Sequence, residues 1–175
     1  MSRLAAFLLM AAAVVPLAGV PALSAQTASP TTPGTAACLP TANLEQLITA
    51  LDSAITGPAT KDRSCFRALM LPQVRLIPVS APTATPRILT ADDWIAAVAK
   101  RGASIVTEKQ IKVQTETFGN VAHLWTTYET YIDGTLATRG INSIQAVFDG
   151  QNWKIVEVVW QAENPTLKVP AQYMP

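Results

Sequence analysis

The chain has 175 residues, with 13 Lys and Arg, 12 Asp and Glu, one His and a formal charge of +1. It holds no basic run or stripe, which argues against nucleic acid and anionic membrane surfaces as partners. A single histidine cannot build a multi-histidine metal site, and no Gly-rich phosphate loop or Gly-x-Ser-x-Gly elbow is present, so no metal or other cofactor is expected.

Residues 1–25, MSRLAAFLLMAAAVVPLAGVPALSA, read as a signal peptide. Arg3 and the amino terminus supply the positive start, Leu4 to Val15 the apolar core, and Ser24 and Ala25 a cleavage site. A membrane-spanning helix needs roughly 20 apolar residues. Pro16, Gly19 and Pro21 interrupt this stretch early, so no stable membrane insertion is expected after cleavage. The expected address is periplasmic or secreted. Removing Arg3 with the leader (13 − 1) leaves 12 basic residues against 12 acidic. The remaining chain, about 150 residues, suits one domain with its own core.

Residues 26–40 are rich in Thr, Pro and Ala and have too few large apolar side chains to repay ordering, so they read as a flexible tether. The chain has two cysteines, Cys38 and Cys65, and an oxidising compartment favours their pairing. The bond would close a loop of roughly 28 residues, worth about 3–4 kcal/mol in the chain-entropy model.

A single domain is expected over 41–175. Leu44, Leu47, Ile48, Leu51 and Ile55 fall at helical spacing, with Thr41 or Asn43 as cap and Gly57-Pro58 as stop. A second helix is predicted over 60–71, carrying Cys65, Phe66, Leu69 and Met70 on one side and stopped by Pro72. A short strand in QVRLIPVS and a loop in APTATP follow. The third helix has Thr90 as cap, Asp92 and Asp93 where the helix dipole favours acids, and Gly102 as stop.

From Ile105 the period changes to alternation. Strands are predicted over 105–118, 121–132, 140–148 and 153–161, joined at Gly119-Asn120, Asp133-Gly134 and Asp149-Gly150. The last junction reads as a type I′ hairpin turn. Helices first and strands after predict an α+β fold: three N-terminal helices packed on a curved, mainly antiparallel sheet.

This order of elements, and the stretches GNVAHLWTTYET, RGINSIQAVFDGQNWKIVEVVWQ and PAQYMP, resemble the cone-shaped nuclear transport factor 2-like superfamily, in an exported bacterial branch without an assigned reaction. The resemblance covers 41–175 and implies fold far more than chemistry, since this scaffold hosts isomerases, dehydratases, epoxide hydrolases and assembly domains. The histidine pair of the similar dehydratases is missing. No Asp-Arg-Asp set like that of the epoxide hydrolases stands out among Glu116, Glu129, Asp133, Arg139 and Glu157.

The leading expectation is a non-catalytic exported domain that binds a small apolar molecule or a protein partner. Its candidate ligand-binding residues are Trp94, on the inner face of the third helix; Tyr128, among the inward set Ala122, Leu124, Thr126, Tyr128 and Ile132; Gln145, in mid-strand; and Trp160. The alternative is a ketosteroid-isomerase-type lyase or isomerase, which needs a carboxylate in an apolar cavity and a hydrogen-bond donor. Glu157 and Tyr128 are its candidates. Alternation groups Trp153, Ile155, Glu157, Val159 and Gln161 on one face of the last strand and Lys154, Val156, Val158 and Trp160 on the other. Turned outward, Glu157 would pair with a basic neighbour such as Lys112 or Arg139. The outward aromatics His123, Trp125 and Tyr131, joined by either Trp153 or Trp160 from the last strand, predict a two-fold homodimer, with the segment ENPTLKVPAQYMP as a competing cover.

Overall fold

The computed structural model describes residues 37–79 and 85–175. The expected signal peptide and residues 26–36 of the expected tether lie outside the described residues, as does part of the expected loop APTATP. Among the described residues no helix is long and apolar enough to cross a membrane.

Helix α1 spans Leu44–Ile55 and buries Leu47, Ala50, Leu51, Ala54 and Ile55. Asn43 caps it, its side chain accepting from the Gln46 amide at 2.8 Å. Thr41 serves elsewhere: its carbonyl accepts from the Trp153 amide at 2.8 Å and ties the start of the domain to the last strand. Helix α3, Ala91–Ala99, begins with a full capping box between Thr90 and Asp93.

Helix α2 is shorter than its sequence pattern, Ser64–Leu69. The Arg63 guanidinium donates to the carbonyls of Ala54 at 2.6 Å, Ile55 at 2.8 Å and Pro58 at 3.1 Å. Those contacts pin the preceding segment under the end of α1, where it satisfies carbonyls that a helix terminus leaves open. Pro72 is not the stop either. The chain turns extended at Met70, and Pro72 and Pro78 are tolerated because their strand lies at the sheet's edge.

The sheet has six strands: β1 (Gly57–Pro58), β2 (Met70–Val79), β3 (Ile105–Phe118), β4 (Val121–Ile132), β5 (Thr135–Phe148) and β6 (Trp153–Ala162). Their spatial order is β1-β3-β4-β5-β6-β2. Every neighbouring pair is antiparallel except β2 with β6. Strand β5 starts earlier than its sequence pattern because Asp133 (φ 50°) and Gly134 (φ 81°) make the tight turn directly after β4. Asp149-Gly150 is not the type I′ turn expected there. It opens a four-residue loop in which Asp149 Oδ1 accepts from the amides of Gln151 at 2.9 Å and Asn152 at 2.7 Å.

Leu47, Leu51, Phe66, Val74, Leu76, Leu124, Ile144, Ile155 and Val158 form one core between the helices and one face of the sheet. The register slips at Gln110/Lys112, Thr130/Tyr131 and Gln145/Ala146. Such bulges bend and twist a sheet. Cys38 and Cys65 are bonded, with Cα atoms 5.3 Å apart, and fasten the start of the domain to α2.

Candidate functional site

The slip between β5 and β6 decides which residues face the helices. Gln145 lies opposite Glu157 and Ala146 opposite Ile155, so Val156 is the extra residue. Before it, Trp153 and Ile155 point inward; after it, Val158, Trp160 and Ala162 do. Strict alternation therefore fails here, and Trp153 and Trp160 share the inner side. Glu157 falls outward. It pairs with Arg75, directly opposite on β2, and not with Lys112 or Arg139. The slip at Ile111 has a parallel effect: it keeps Val106, Glu108 and Gln110 on the inner side opposite Ile132, Thr130 and Tyr128, and lets Val113 stay in phase opposite Thr126.

Between helices and sheet is a cavity of about 610 Å³. One wall is apolar, with Leu51 and Ile55 from α1, Phe66 from α2, Met70 and Leu76 from β2, Trp94 from α3, and Val158 and Trp160 from β6. Trp94 stacks on Phe66 with ring centroids 4.2 Å apart and planes 16° from parallel. The other wall is polar: Glu108, Tyr128, Thr130, Thr138 and Asn142, with Arg101 and Ser104 of the α3–β3 connection. Of the sequence candidates, Trp94, Tyr128 and Trp160 line this cavity. Glu157 does not. Gln145 does not either; it lies on the outer face opposite His123 and Glu157, and the inward amide of β5 is Asn142.

The carboxylate that does line the cavity is Glu108, which the sequence reading missed inside the polar run TEKQ. A signal existed: Glu108 lies two residues from buried Val106 and so on the same face. Its Oε2 accepts from Thr130 Oγ1 at 3.1 Å and its Oε1 from Gln110 Nε2 at 3.4 Å. Gln110 Oε1 in turn accepts from Thr126 Oγ1 at 2.5 Å and Asn142 Nδ2 at 3.0 Å. Asp52 of α1 stands behind this row, its Oδ2 accepting from the Gln110 amide at 3.1 Å while its Oδ1 is buried without a partner.

Burial pushes the Glu108 carboxyl up to about 7, and the nearby Asp52 charge pushes the same way against the bond from Thr130. Burial also raises Asp52. Tyr128 is pushed up to about 12, by burial first and by Glu108 second, so its phenol stays protonated as a donor. Gly140, opposite Tyr128, leaves room for that ring: a Cβ there would stand 2.8 Å from Tyr128 Oη and collide with the Gln161 carbonyl. The hydroxyl takes part in none of the bonds that join Gln110, Glu108, Thr126, Thr130 and Asn142.

The outer face holds two further groups. Glu129 accepts from Tyr131 Oη at 2.6 Å and from Arg139 Nε at 2.9 Å, which holds its carboxyl below the usual range. His123 Nε2 lies 3.1 Å from Ser143 Oγ and its Nδ1 3.6 Å from Glu116. Ser143 sits mid-ladder, opposite Trp125 of β4 and Val159 of β6. Over this face lies the C-terminal arm: Thr127 Oγ1 donates to the Tyr173 carbonyl at 2.5 Å, and the Tyr173 ring lies 6.0 Å from Trp125. Beside the arm is a second cavity of about 250 Å³, bordered by Trp125, Ser143, Val159, Leu167 and Val169. Among the described residues no cluster of three or more His, Cys, Asp or Glu could hold a metal ion.

The architecture matches solved proteins. A nuclear transport factor 2-like protein of unknown function from Pseudomonas putida superposes with a TM-score of 0.52 at 13% identity, over 75% of this chain and 93% of that one. The fold is that of the nuclear transport factor 2-like proteins. A second of unknown function, from Shewanella baltica, matches at a TM-score of 0.50 and 9% identity, over 69% of this chain and 90% of that one. A protein from Exiguobacterium sibiricum, provisionally named a calcium/calmodulin-dependent kinase II association domain, matches at 0.54 and 12% identity, over 70% and 92%. No family model and no curated protein matches the chain. At these identities the likeness concerns fold alone.

Proposed function

We propose that this chain is an exported, non-catalytic domain that binds one small, largely apolar molecule in the cone cavity. The observation that carries this reading is the cavity's division: a wall of Phe66, Trp94, Val158 and Trp160 faces a short row of oriented polar groups at Glu108, Tyr128 and Asn142. Ligand sites combine apolar area for affinity with a few placed polar groups for orientation, in volumes of roughly 300–1,000 Å³. Export rests on the leader and on the Cys38–Cys65 bond, a type of bond that persists in oxidising compartments. A thermal-shift screen tests the binding reading. A stabilising compound class whose effect is lost in Trp94→Ala and weakened in Tyr128→Phe supports it; a screen with no stabilising class refutes it.

A second reading, an isomerase or lyase that moves a proton next to a carbonyl, is favoured by Glu108 and Tyr128 lining the same cavity. Glu108, near 7, takes the role of base that Glu157 cannot fill from the outer face, and Tyr128 donates to the developing oxyanion. Glu108→Gln should then abolish turnover of a β,γ-unsaturated ketone while the fold is retained. Absence of turnover in the wild-type protein sinks this reading and leaves binding intact.

A two-fold homodimer through the outer sheet face is also proposed, resting on His123, Trp125 and Tyr131; Trp153 and Trp160 pack against the core and do not add to that patch.

A further inference from the structure

Arg101 lines the cavity from the connection between α3 and β3, and its backbone amide donates to the Val98 carbonyl at 2.9 Å. The ion pairs among the described residues join Arg67 to Asp92, Arg75 to Glu157, His123 to Glu116, Arg139 to Glu129 and Lys168 to Glu163. Arg101 is in none of them. Among the described residues it is the one cationic side chain lining this cavity and has no carboxylate within ion-pair distance, and it is solvent-exposed. Buried Arg63 lies close enough that the Arg101 charge adds to burial in lowering its pKa, so this end of the cone carries two guanidinium groups.

We propose that the cavity takes an amphipathic monocarboxylic acid, with its apolar body between Trp94 and Trp160 and its carboxylate at Arg101. The inference rests on the binding reading above and names its ligand class. A guanidinium offers paired donors that match a carboxylate fork. Glu108 does not cancel Arg101. The two form no ion pair, and burial raises the Glu108 carboxyl to about 7, so that below this pH it is mostly uncharged and does not repel a bound carboxylate. Arg101 itself lowers the Glu108 carboxyl, as do Thr130 of β4 and Gln110 of β3, while Asp52 of α1 raises it; Tyr128 of β4 also faces Glu108, and Lys109 acts on Asp52. Carboxylate binding therefore weakens as pH rises through about 7, the value to which Glu108 is raised.

The test uses the mature chain and three probes that share a ring system: 1-pyrenebutyrate, 1-pyrenebutanol and 1-pyrenemethylamine, titrated by fluorescence at pH 6 and pH 8. The expected result is a carboxylate that binds at least tenfold tighter than the alcohol at pH 6, with a smaller margin at pH 8. Arg101→Gln should bring the carboxylate-to-alcohol ratio close to one, and Arg101→Lys should keep part of it. Equal affinities, a ratio that survives Arg101→Gln, or a preference for the amine overturns the carboxylate assignment while the alcohol's binding still supports the cavity reading. If none of the three binds, both fall together.

Discussion

Thr130 stands directly opposite Glu108 across the β3–β4 ladder and donates its hydroxyl to Glu108 Oε2 at 3.1 Å. That bond lowers the carboxyl's pKa, yet desolvation wins and the group ends near 7. A carboxyl whose folded pKa lies above its unfolded value binds more protons folded than unfolded. Its contribution is complete below the unfolded pKa, about 4.5, and is lost as pH rises through about 7. Asp52 is raised too and acts in the same direction. Glu129, lowered by Tyr131 and Arg139, acts oppositely and loses its contribution in acid. Denaturant unfolding at pH 5, 6, 7 and 8 should show wild-type stability falling toward pH 8 relative to Glu108→Gln. Parallel curves for the two proteins would contradict the assignment.

Gly140 sits between β4 and β6 with the Gln161 carbonyl and Ala162 Cα where a side chain would begin. Gly140→Ala should cost about 1–3 kcal/mol, the usual range for overpacking, because a backbone carbonyl must move. Thermal melts give the size. A neutral effect would mean that β5 and β6 can separate without cost.

Glu157 and Glu108 are one pair of carboxylates with opposite placements, and their variants should separate. Glu157→Gln removes an ion pair whose Arg75 partner is largely exposed, worth at most about 1 kcal/mol. It should leave probe binding in the cavity unchanged, whereas Glu108→Gln should alter its pH dependence. An effect of Glu157→Gln on binding equal to that of Glu108→Gln would contradict the bulge at Val156.

Those two carboxylates also show what the sequence discloses. Element order, the β4 faces and the inward position of Tyr128 follow from alternation, because β4 runs unbroken from Val121 to Thr130. The faces of β6 do not. A bulge adds one residue without a compositional mark, and Val156 looks like any strand valine. Glu108 was hidden for a different reason. Polar residues on an inner face read as solvent-facing unless a cavity is already known to lie there, and only the packing of α1 over β3 and β6 and of α3 over β2 creates one.

The C-terminal arm covers Trp125 and Thr127. Deleting residues 165–175 removes that cover and should lower the melting temperature and promote aggregation. Light scattering on residues 26–175 reads the proposed homodimer separately. A dimer mass at tens of micromolar supports pairing through the outer face; a monomer mass refutes it and leaves the arm as the cover.

Breaking the Cys38–Cys65 bond, by reduction or by Cys65→Ser, should cost about 3–4 kcal/mol in unfolding free energy, the chain-entropy value for this loop. Protein isolated without reductant should alkylate at no cysteine after denaturation. Two alkylated cysteines would contradict both the bond and the export reading.

The central claim is that the cone cavity holds a small apolar molecule. Titration of residues 26–175 with neutral N-phenyl-1-naphthylamine, beside the variant Ala137→Trp, tests this. Ala137 is exposed and lines the cavity, so a large ring there narrows the space without disturbing the core. The expected result is saturable one-to-one binding to the wild-type protein and at least a tenfold loss in the variant. No saturable binding, or equal binding by both proteins, would contradict it.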